Sequence, residues 1–422
     1  MYVADSRATQ TSADGAVRPP AGRRRGVVAP AVLALGAVSL VTDVSSEMVT
    51  AVLPLYLVTG LGLSPLGFGL LDGIYNGFSA LVRLVGGHLA DRGGGRHKWV
   101  AGFGYAVSAL CKPLLLVAHS LTPIGLVLAA DRTGKGLRTA PRDALISLSS
   151  TPEARGRAFG VHRAMDTAGA LLGPLVAFLI LRATVDGYDA VFTVSFCVAV
   201  LGVLVLVLFV PGGHGDGGGA VPGERPTLTA ALRLLEHRDL RRITVCALLL
   251  GLATVSDSFV YLLLQRRLGV PDRWFALLPL GTAGAFLLLA IPLGRLADRV
   301  GRWAVFLGGH GALLVAYALL LTSWHGTALP YVVLALHGTF YAATDGVLMA
   351  AASDGVPEAL RSSGLALVQT GQATARFACS LLFGAAWTVW GDRAALSGAA
   401  VALVGCAVFS LTVRPKGTVT TA

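Results

Sequence analysis

Fourteen ionisable residues lie inside long apolar runs of this sequence. The bases are Arg83, Lys112, Arg132, Lys135, Arg138, Arg163 and Arg376, and the acids are Asp43, Glu47, Asp72, Asp131, Asp166, Asp257 and Asp345. On insertion scales each costs about 2.5–3.5 kcal/mol at the centre of a membrane helix. Equal numbers of the two signs point to pairing or to a shared wet cavity. The chemistry such a set supports is reversible proton binding, because an acid beside a movable base can switch between its neutral and charged forms.

Their spacing is helical. Asp43, Glu47, Thr50 and Pro54 step by 4, 3 and 4, as do Asp72, Asn76, Ser79 and Arg83, and again Asp131, Lys135, Arg138 and Arg142. Each set makes one polar stripe on an apolar helix, and lipid cannot solvate it, so it faces the interior. The proton-coupling candidates are Asp43, Glu47, Asp72, Arg132, Lys135, Arg138, Arg163 and Asp166. Asp43 and Glu47, one turn apart, are expected to hold one proton between them, with Arg132 or Arg138 as counter-charge. The competing reading makes these acids static salt-bridge partners, and the same holds for Arg163 with Asp166. Lys112 reads as a base snorkelling from the end of its span. The later part of the chain has fewer charges and more neutral polar groups: Asp257 with Tyr261, then His337, Tyr341 and Asp345, then Gln369, Gln372 and Arg376. With Asn76 these are candidates for lining a substrate cavity with apolar walls. His337 and Tyr341 fit interhelical hydrogen bonding equally well.

The elements that must carry these residues are membrane helices. Of 422 residues 54% are apolar and 14% charged, against roughly 25% charged in soluble domains, and mean hydropathy is +0.70. That excludes an ordinary soluble enzyme, a disordered protein and a small disulfide scaffold. Apolar runs of about 20 residues recur, the length that crosses a bilayer as a helix, and they lack the alternation of barrel strands. The chain is therefore expected to be an all-α polytopic membrane protein with 12 transmembrane helices near 30–58, 65–89, 98–118, 122–143, 156–181, 188–210, 243–265, 273–297, 303–323, 329–352, 360–388 and 394–413. Residues 1–29 and 414–422 are polar tails. Residues 211–242, opening on a glycine-rich stretch, link a first six-helix half (30–210) to a second (243–413), and Leu228–Leu240 fits a short amphipathic helix on the membrane surface. The net charge of +11 is scattered between apolar runs, which fits membrane topology and not nucleic-acid binding. The five cysteines lie within apolar runs without a C-x-x-C pair, so neither a disulfide framework nor a metal site is readable, and no cofactor is implied. Basic residues outside the spans concentrate on the side of the N-terminus, which places both termini in the cytoplasm. Arg266, Arg267 and Arg273, on one outer loop, are the exception.

The halves repeat. Gly87-His-Leu-Ala-Asp91-Arg92 follows span two and Gly294-Arg-Leu-Ala-Asp298-Arg299-Val-Gly-Arg302 follows span eight, at an offset of 207; Thr151-Pro152-Glu153-Ala154 and Val356-Pro357-Glu358-Ala359 open spans five and eleven at an offset of 205. Duplicated halves enclosing a mid-membrane site are a transporter architecture. These residues resemble the major facilitator superfamily, whose signature G-x-L-A-D-R-x-G-R-R between spans two and three here reads Gly87 to Arg96, with Gly95 in place of one basic residue. Arg132-Thr-Gly-Lys135-Gly136 is similar to the family's R-x-x-Q-G pattern, with Lys for Gln. Gly169-Ala-Leu-Leu-Gly173-Pro174 is similar to the G-x-x-x-G-P pattern of proton-exchanging exporters, and also fits generic close helix packing. The resemblance implies a monomeric, bacterial proton-coupled carrier of the cytoplasmic membrane, with two pseudo-symmetric six-helix halves.

In that frame Gly87, Asp91, Arg92, Arg96, Gly294, Asp298, Arg299 and Arg302 form a cytoplasmic gate. Asp91 is expected to meet the positive end of span eleven and Asp298 that of span five whenever that side closes. Gly134-Lys135-Gly136 lacks the Ser or Thr of a phosphate loop, and no hydrolase motif is present. The driving force is then an ion gradient and the partners are a small solute, protons and the bilayer. Export by exchange, uptake by symport, and a non-transporting sensor or scaffold are the three readings, in that order.

Overall fold

The computed structural model describes residues 29–92, 97–151, 154–185, 187–211, 236, 238–324, 326–354 and 361–413. Among these, thirteen helices follow in order: α1 Pro30–Leu55, which widens into a π-turn at Tyr56–Gly60, α2 Pro65–Arg92, α3 His97–Val117, α4 Leu121–Leu148, α5 Arg155–Ala183, α6 Gly187–Phe209, α7 Arg238–Leu252, α8 Asp257–Leu268, α9 Asp272–Phe275, α10 Leu278–Val300, α11 Arg302–Leu321, α12 Leu329–Asp354 and α13 Arg361–Thr412. No strand occurs among the described residues. Nine helical stretches among them are long and apolar enough to cross a membrane, so the chain is a multi-pass membrane protein. Parts of both tails and of the 211–242 segment, the surface-helix residues before 236, Arg96, and the paired Pro-Glu sites at 152–153 and 356–359 lie outside the described residues.

The apolar faces explain the arrangement. On α3, Trp99, Phe103, Leu110, Leu114 and Val117 form one exposed stripe, a surface suited to lipid and to little else. The opposite face of α3 buries Ala101, Tyr105, Ser108 and Lys112 against α4 and α6. Within the first six helices α1 packs on α5 and α6, α2 on α4, and α3 on α4 and α6. Among the later ones α12 packs on α10 and α11, and α13 on α7. The two sets meet chiefly along α2 and α13.

Two irregularities depart from the expected spans. The seventh, expected to run unbroken over 243–265, is interrupted at Ala253–Ser256. The exposed backbone is satisfied by neighbouring helices: the Tyr317 hydroxyl accepts from the Val255 N–H at 2.7 Å, and Cys379 donates to the Thr254 carbonyl at 3.1 Å. Such breaks are tolerated at membrane depth only where protein or a cavity solvates them. The expected eleventh and twelfth spans are the two arms of α13. They meet at Gly391, whose φ of 84° is non-helical, a conformation open to glycine at no steric cost.

The sets are joined at the end bearing the α1–α2 turn. There Phe178 of α5 contacts Trp274 of α9 with ring centroids 5.0 Å apart, and Phe68 of α2 contacts Phe259 of α8 at 4.8 Å. The Thr388 hydroxyl of α13 accepts from the Leu66 N–H at 2.9 Å. At the opposite end, Arg155, Gly156 and Arg157 opening α5 are exposed, as are Asp298, Arg299 and Val300 closing α10.

Candidate functional site

The polar stripe of α1 is held against α4 and α5. Arg138 of α4 reaches Asp43 at 3.6 Å, and its guanidinium lies over the Tyr105 ring at 4.4 Å. Lys135, one turn away, reaches Glu47 at 4.0 Å. Asp166 on α5 meets Arg142 at 3.8 Å and Arg163 at 3.9 Å. Asp43 and Glu47 are therefore separately partnered.

Arg132 is not a counter-charge for either acid of α1 by direct contact. It forks onto Asp131 through Nε at 3.0 Å and through a terminal nitrogen at 2.5 Å. Lys112 donates to the other Asp131 oxygen at 3.0 Å. All three residues are buried, which corrects the snorkelling expected of Lys112. The separation of 19 positions across the α3–α4 turn hid this pair from a reading of single-helix stripes. Arg132 also lies over the Tyr75 ring at 3.8 Å, and the Tyr75 hydroxyl hydrogen-bonds Thr50.

Close approach of α1 and α5 rests on the two glycines of the G-x-x-x-G-P stretch. A Cβ on Gly169 would stand 2.5 Å from the Leu40 carbonyl oxygen, and one on Gly173 would stand 2.6 Å from the Cβ of Glu47. These are the turns of α1 that carry Asp43 and Glu47.

Between the two helix sets lies a cavity of about 390 Å³. Glu47, Thr50 and Pro54 of α1, Asn76 of α2 and Pro174 of α5 form one wall. Asp257 and Tyr261 of α8, Thr282 and Phe286 of α10, Tyr341 and Asp345 of α12 and Arg376 of α13 form the other. The break between α7 and α8 brings Thr254, Val255 and Ser256 to the same surface. Tyr341 donates to Asp257, and Tyr261 donates to Thr282 at 3.0 Å. Three expected lining residues are elsewhere. His337 is buried behind the wall with Nε2 3.5 Å from Asp257. Gln369 is exposed, pointing to the Met349 sulfur at 3.7 Å, and Gln372 does not reach the cavity surface.

Asp72 lies apart from the base-rich cluster. It is buried on α2 and accepts from the Ser380 hydroxyl of α13 at 2.6 Å. Among the described residues it has no ion pair. Its backbone carbonyl accepts from Asn76 at 3.0 Å.

The gate residues are only partly described. Gly87, Asp91 and Arg92 close α2. Asp298 is largely exposed and 3.9 Å from Arg302, which donates to the Ala350 carbonyl at 3.0 Å. Asp298 thus faces its own neighbouring helix, and among the described residues it makes no ion pair with α5. Gly294 and Arg299 sit at the same end. No group of three or more His, Cys, Asp or Glu side chains that could hold a metal occurs among the described residues.

Missing from the sequence-based site were Tyr75, Thr282, Phe286 and the 254–256 break. The one available signal was Ser256 followed by Asp257, a helix-opening pattern inside an apolar run.

An uncharacterized MFS-type transporter of Methanocaldococcus jannaschii is 29% identical over 380 residues, covering 88% of this chain and 92% of that one. An uncharacterized protein of Mycobacterium tuberculosis is 33% identical over 174 residues, 41% of each chain. Among solved structures, the nucleoside transporter NupG superposes with a TM-score of 0.78 at 14% identity, over 91% of this chain and 98% of its own. A bacterial homolog of the human lysosomal transporter Spinster, inward-facing and unoccupied, gives 0.73 at 16% identity, over 93% and 98%. At these identities the likeness is one of fold. The family profile of the Major Facilitator Superfamily matches residues 35–379, and the chain belongs to that family of membrane transporters.

Proposed function

We propose that the protein is a secondary active transporter that moves a small solute across the bacterial cytoplasmic membrane in exchange for protons, exporting the solute. The observation that carries this reading is the double placement of Glu47. The same carboxyl pairs with Lys135 and lines the central cavity. A proton that neutralises Glu47 therefore acts on the solute's own surface, which makes protonation and solute binding mutually dependent. Asp43 and Asp166, one turn along, form an arrangement that a single shared proton satisfies, with Arg138 released when it arrives.

The duplicated halves, 30–210 and 243–413, would rock about this site. With both termini cytoplasmic, the joined end faces outside and the open end faces the cytoplasm. That assignment places Asp298 at an open inner gate, ready to meet the start of α5 on closure. Exchange is favoured over symport by the G-x-x-x-G-P stretch, whose glycines fix α5 against the acids of α1. The protein would act as a monomer, since each chain carries a complete cavity.

The test is flux in proteoliposomes with an imposed pH gradient, using solutes first selected by a melting-temperature screen of the purified protein. Exchange predicts that solute accumulates in the more acidic compartment. Accumulation in the opposite compartment would establish symport, and flux indifferent to the gradient would remove proton coupling.

A further inference from the structure

Arg266 and Arg267 break the charge distribution of the sequence, and the central cavity does not use them. They lie at the end of α8, where the apolar span finishes. Beside them run the end of α11 and the Gly391 kink of α13, and the three enclose a groove of about 350 Å³. Arg266, Arg267 and Arg393 line it together with a single acid, Asp392, over a floor that includes Leu263, Leu321 and Leu396.

The three arginines are not equivalent. Arg267 is fixed: it donates to the carbonyls of Leu319 at 2.9 Å and Trp324 at 3.1 Å, and also to those of Leu320 and Thr322. It thereby answers the negative end of α11. Arg266 lies 5.5 Å from the centre of the Trp387 ring. Neither Arg266 nor Arg393 has an ion pair among the described residues, and the Asp392 carboxyl accepts from the Arg393 backbone N–H at 2.8 Å. Two guanidinium groups thus remain without an anionic partner among the described residues, in a groove whose helix terminus is already neutralised.

We infer that this groove binds a phosphate-bearing anion. Guanidinium forks match phosphate oxygens in pairs and tolerate partial burial better than an ammonium does. The leucine floor beneath them suits the apolar part of a glycerophosphate, and the level is that at which the membrane spans end. An anionic lipid headgroup and a soluble phosphate share this chemistry.

The experiment is a thermal melt of the purified full-length protein, titrated with dihexanoyl phosphatidylglycerol and, separately, with inorganic phosphate at constant ionic strength. Stabilisation by the lipid alone identifies a headgroup site, and stabilisation by phosphate identifies a soluble-anion site. In either case Arg266→Gln/Arg393→Gln should bind about tenfold more weakly. Asp392→Asn, which keeps a side-chain acceptor at the kink and removes the only negative charge, should bind more tightly. Absence of stabilisation by both ligands, or equal binding by wild type, the double variant and Asp392→Asn, would overturn the inference.

Discussion

Gly173 of α5 stands directly against Glu47 of α1, so close that a Cβ on the glycine would come within 2.6 Å of the glutamate's own Cβ. The glycine therefore sets where the Glu47 carboxyl sits relative to Lys135 and the cavity. Gly173→Ala must displace α1 from α5. Overpacking of this kind costs about 1–3 kcal/mol, and a displacement of α1 also moves Glu47 off its base. We expect a lowered melting temperature together with impaired transport. Gly160→Ala on the same helix meets nothing within 4 Å and should leave both unchanged. Equal behaviour of the two variants would show that the α1–α5 approach is not limiting.

The buried cluster of Lys112, Asp131 and Arg132 makes a different prediction. Asp131 is the acid that both bases share, so Asp131→Asn leaves two buried cations facing each other. Breaking a buried pair costs about 3–5 kcal/mol, and this variant should lose folded yield in the membrane before any question of transport arises. Arg163→Gln is the contrast. Its side chain is 80% exposed and its contact with Asp166 is 3.9 Å, so its effect on stability should stay within about 0.5 kcal/mol. Fluorescence-detected size exclusion of the two variants separates these outcomes.

Asp72 and Ser380 tie the two helix sets together at the joined end through one short hydrogen bond, and Asp72 has no ion pair among the described residues. Asp72→Asn retains a hydrogen-bonding partner for Ser380 and should retain folding and solute binding. Ser380→Ala leaves a buried carboxyl short of a donor, which costs about 1–3 kcal/mol in the joined arrangement and should shift the population toward the arrangement in which α2 and α13 part. Cysteine accessibility at Leu66, measured in the Ser380→Ala background, should rise. Unchanged accessibility would show that this contact does not hold the joined end closed.

Much of this was legible from periodicity. The α1 stripe was readable because a 3.6-residue repeat of polar groups in an apolar run has one physical meaning, and Glu47, Thr50 and Pro54 do share the cavity wall. The same logic found Asp257, Tyr341, Asp345 and Arg376. What periodicity cannot carry is contact between helices. Tyr75 reads as an ordinary apolar position, and only the fold brings its ring beneath Arg132. Lys112 sits near the end of its helix, so its partner 19 residues on was invisible. The break at 254–256 contains neither Gly nor Pro. It exists because Tyr317 and Cys379 stand ready to satisfy the freed backbone, which is a property of the assembled bundle. His337 shares a stripe with Tyr341 yet is buried behind it, because a stripe has width and the cavity touches only one edge.

The separate partnering of Asp43 and Glu47 yields the sharpest prediction for coupling. Glu47→Gln mimics the protonated acid at the cavity wall and frees Lys135. If this carboxyl links the proton to the solute, the variant should still bind solute and exchange it across a liposome membrane at equal pH, while losing accumulation driven by a pH gradient. Asp43→Asn frees Arg138 and leaves Asp166 with Arg142 and Arg163. Because Asp43 is not on the cavity wall, its loss should spare solute affinity more completely than the loss of Glu47 does. Solute affinity by melting-temperature titration, paired with exchange and gradient-driven flux for both variants, therefore distinguishes a carboxyl that meets the solute from one that only binds the proton. Full gradient-driven transport in both variants would remove this pair from the mechanism and transfer the coupling role to Asp72 and Asp166.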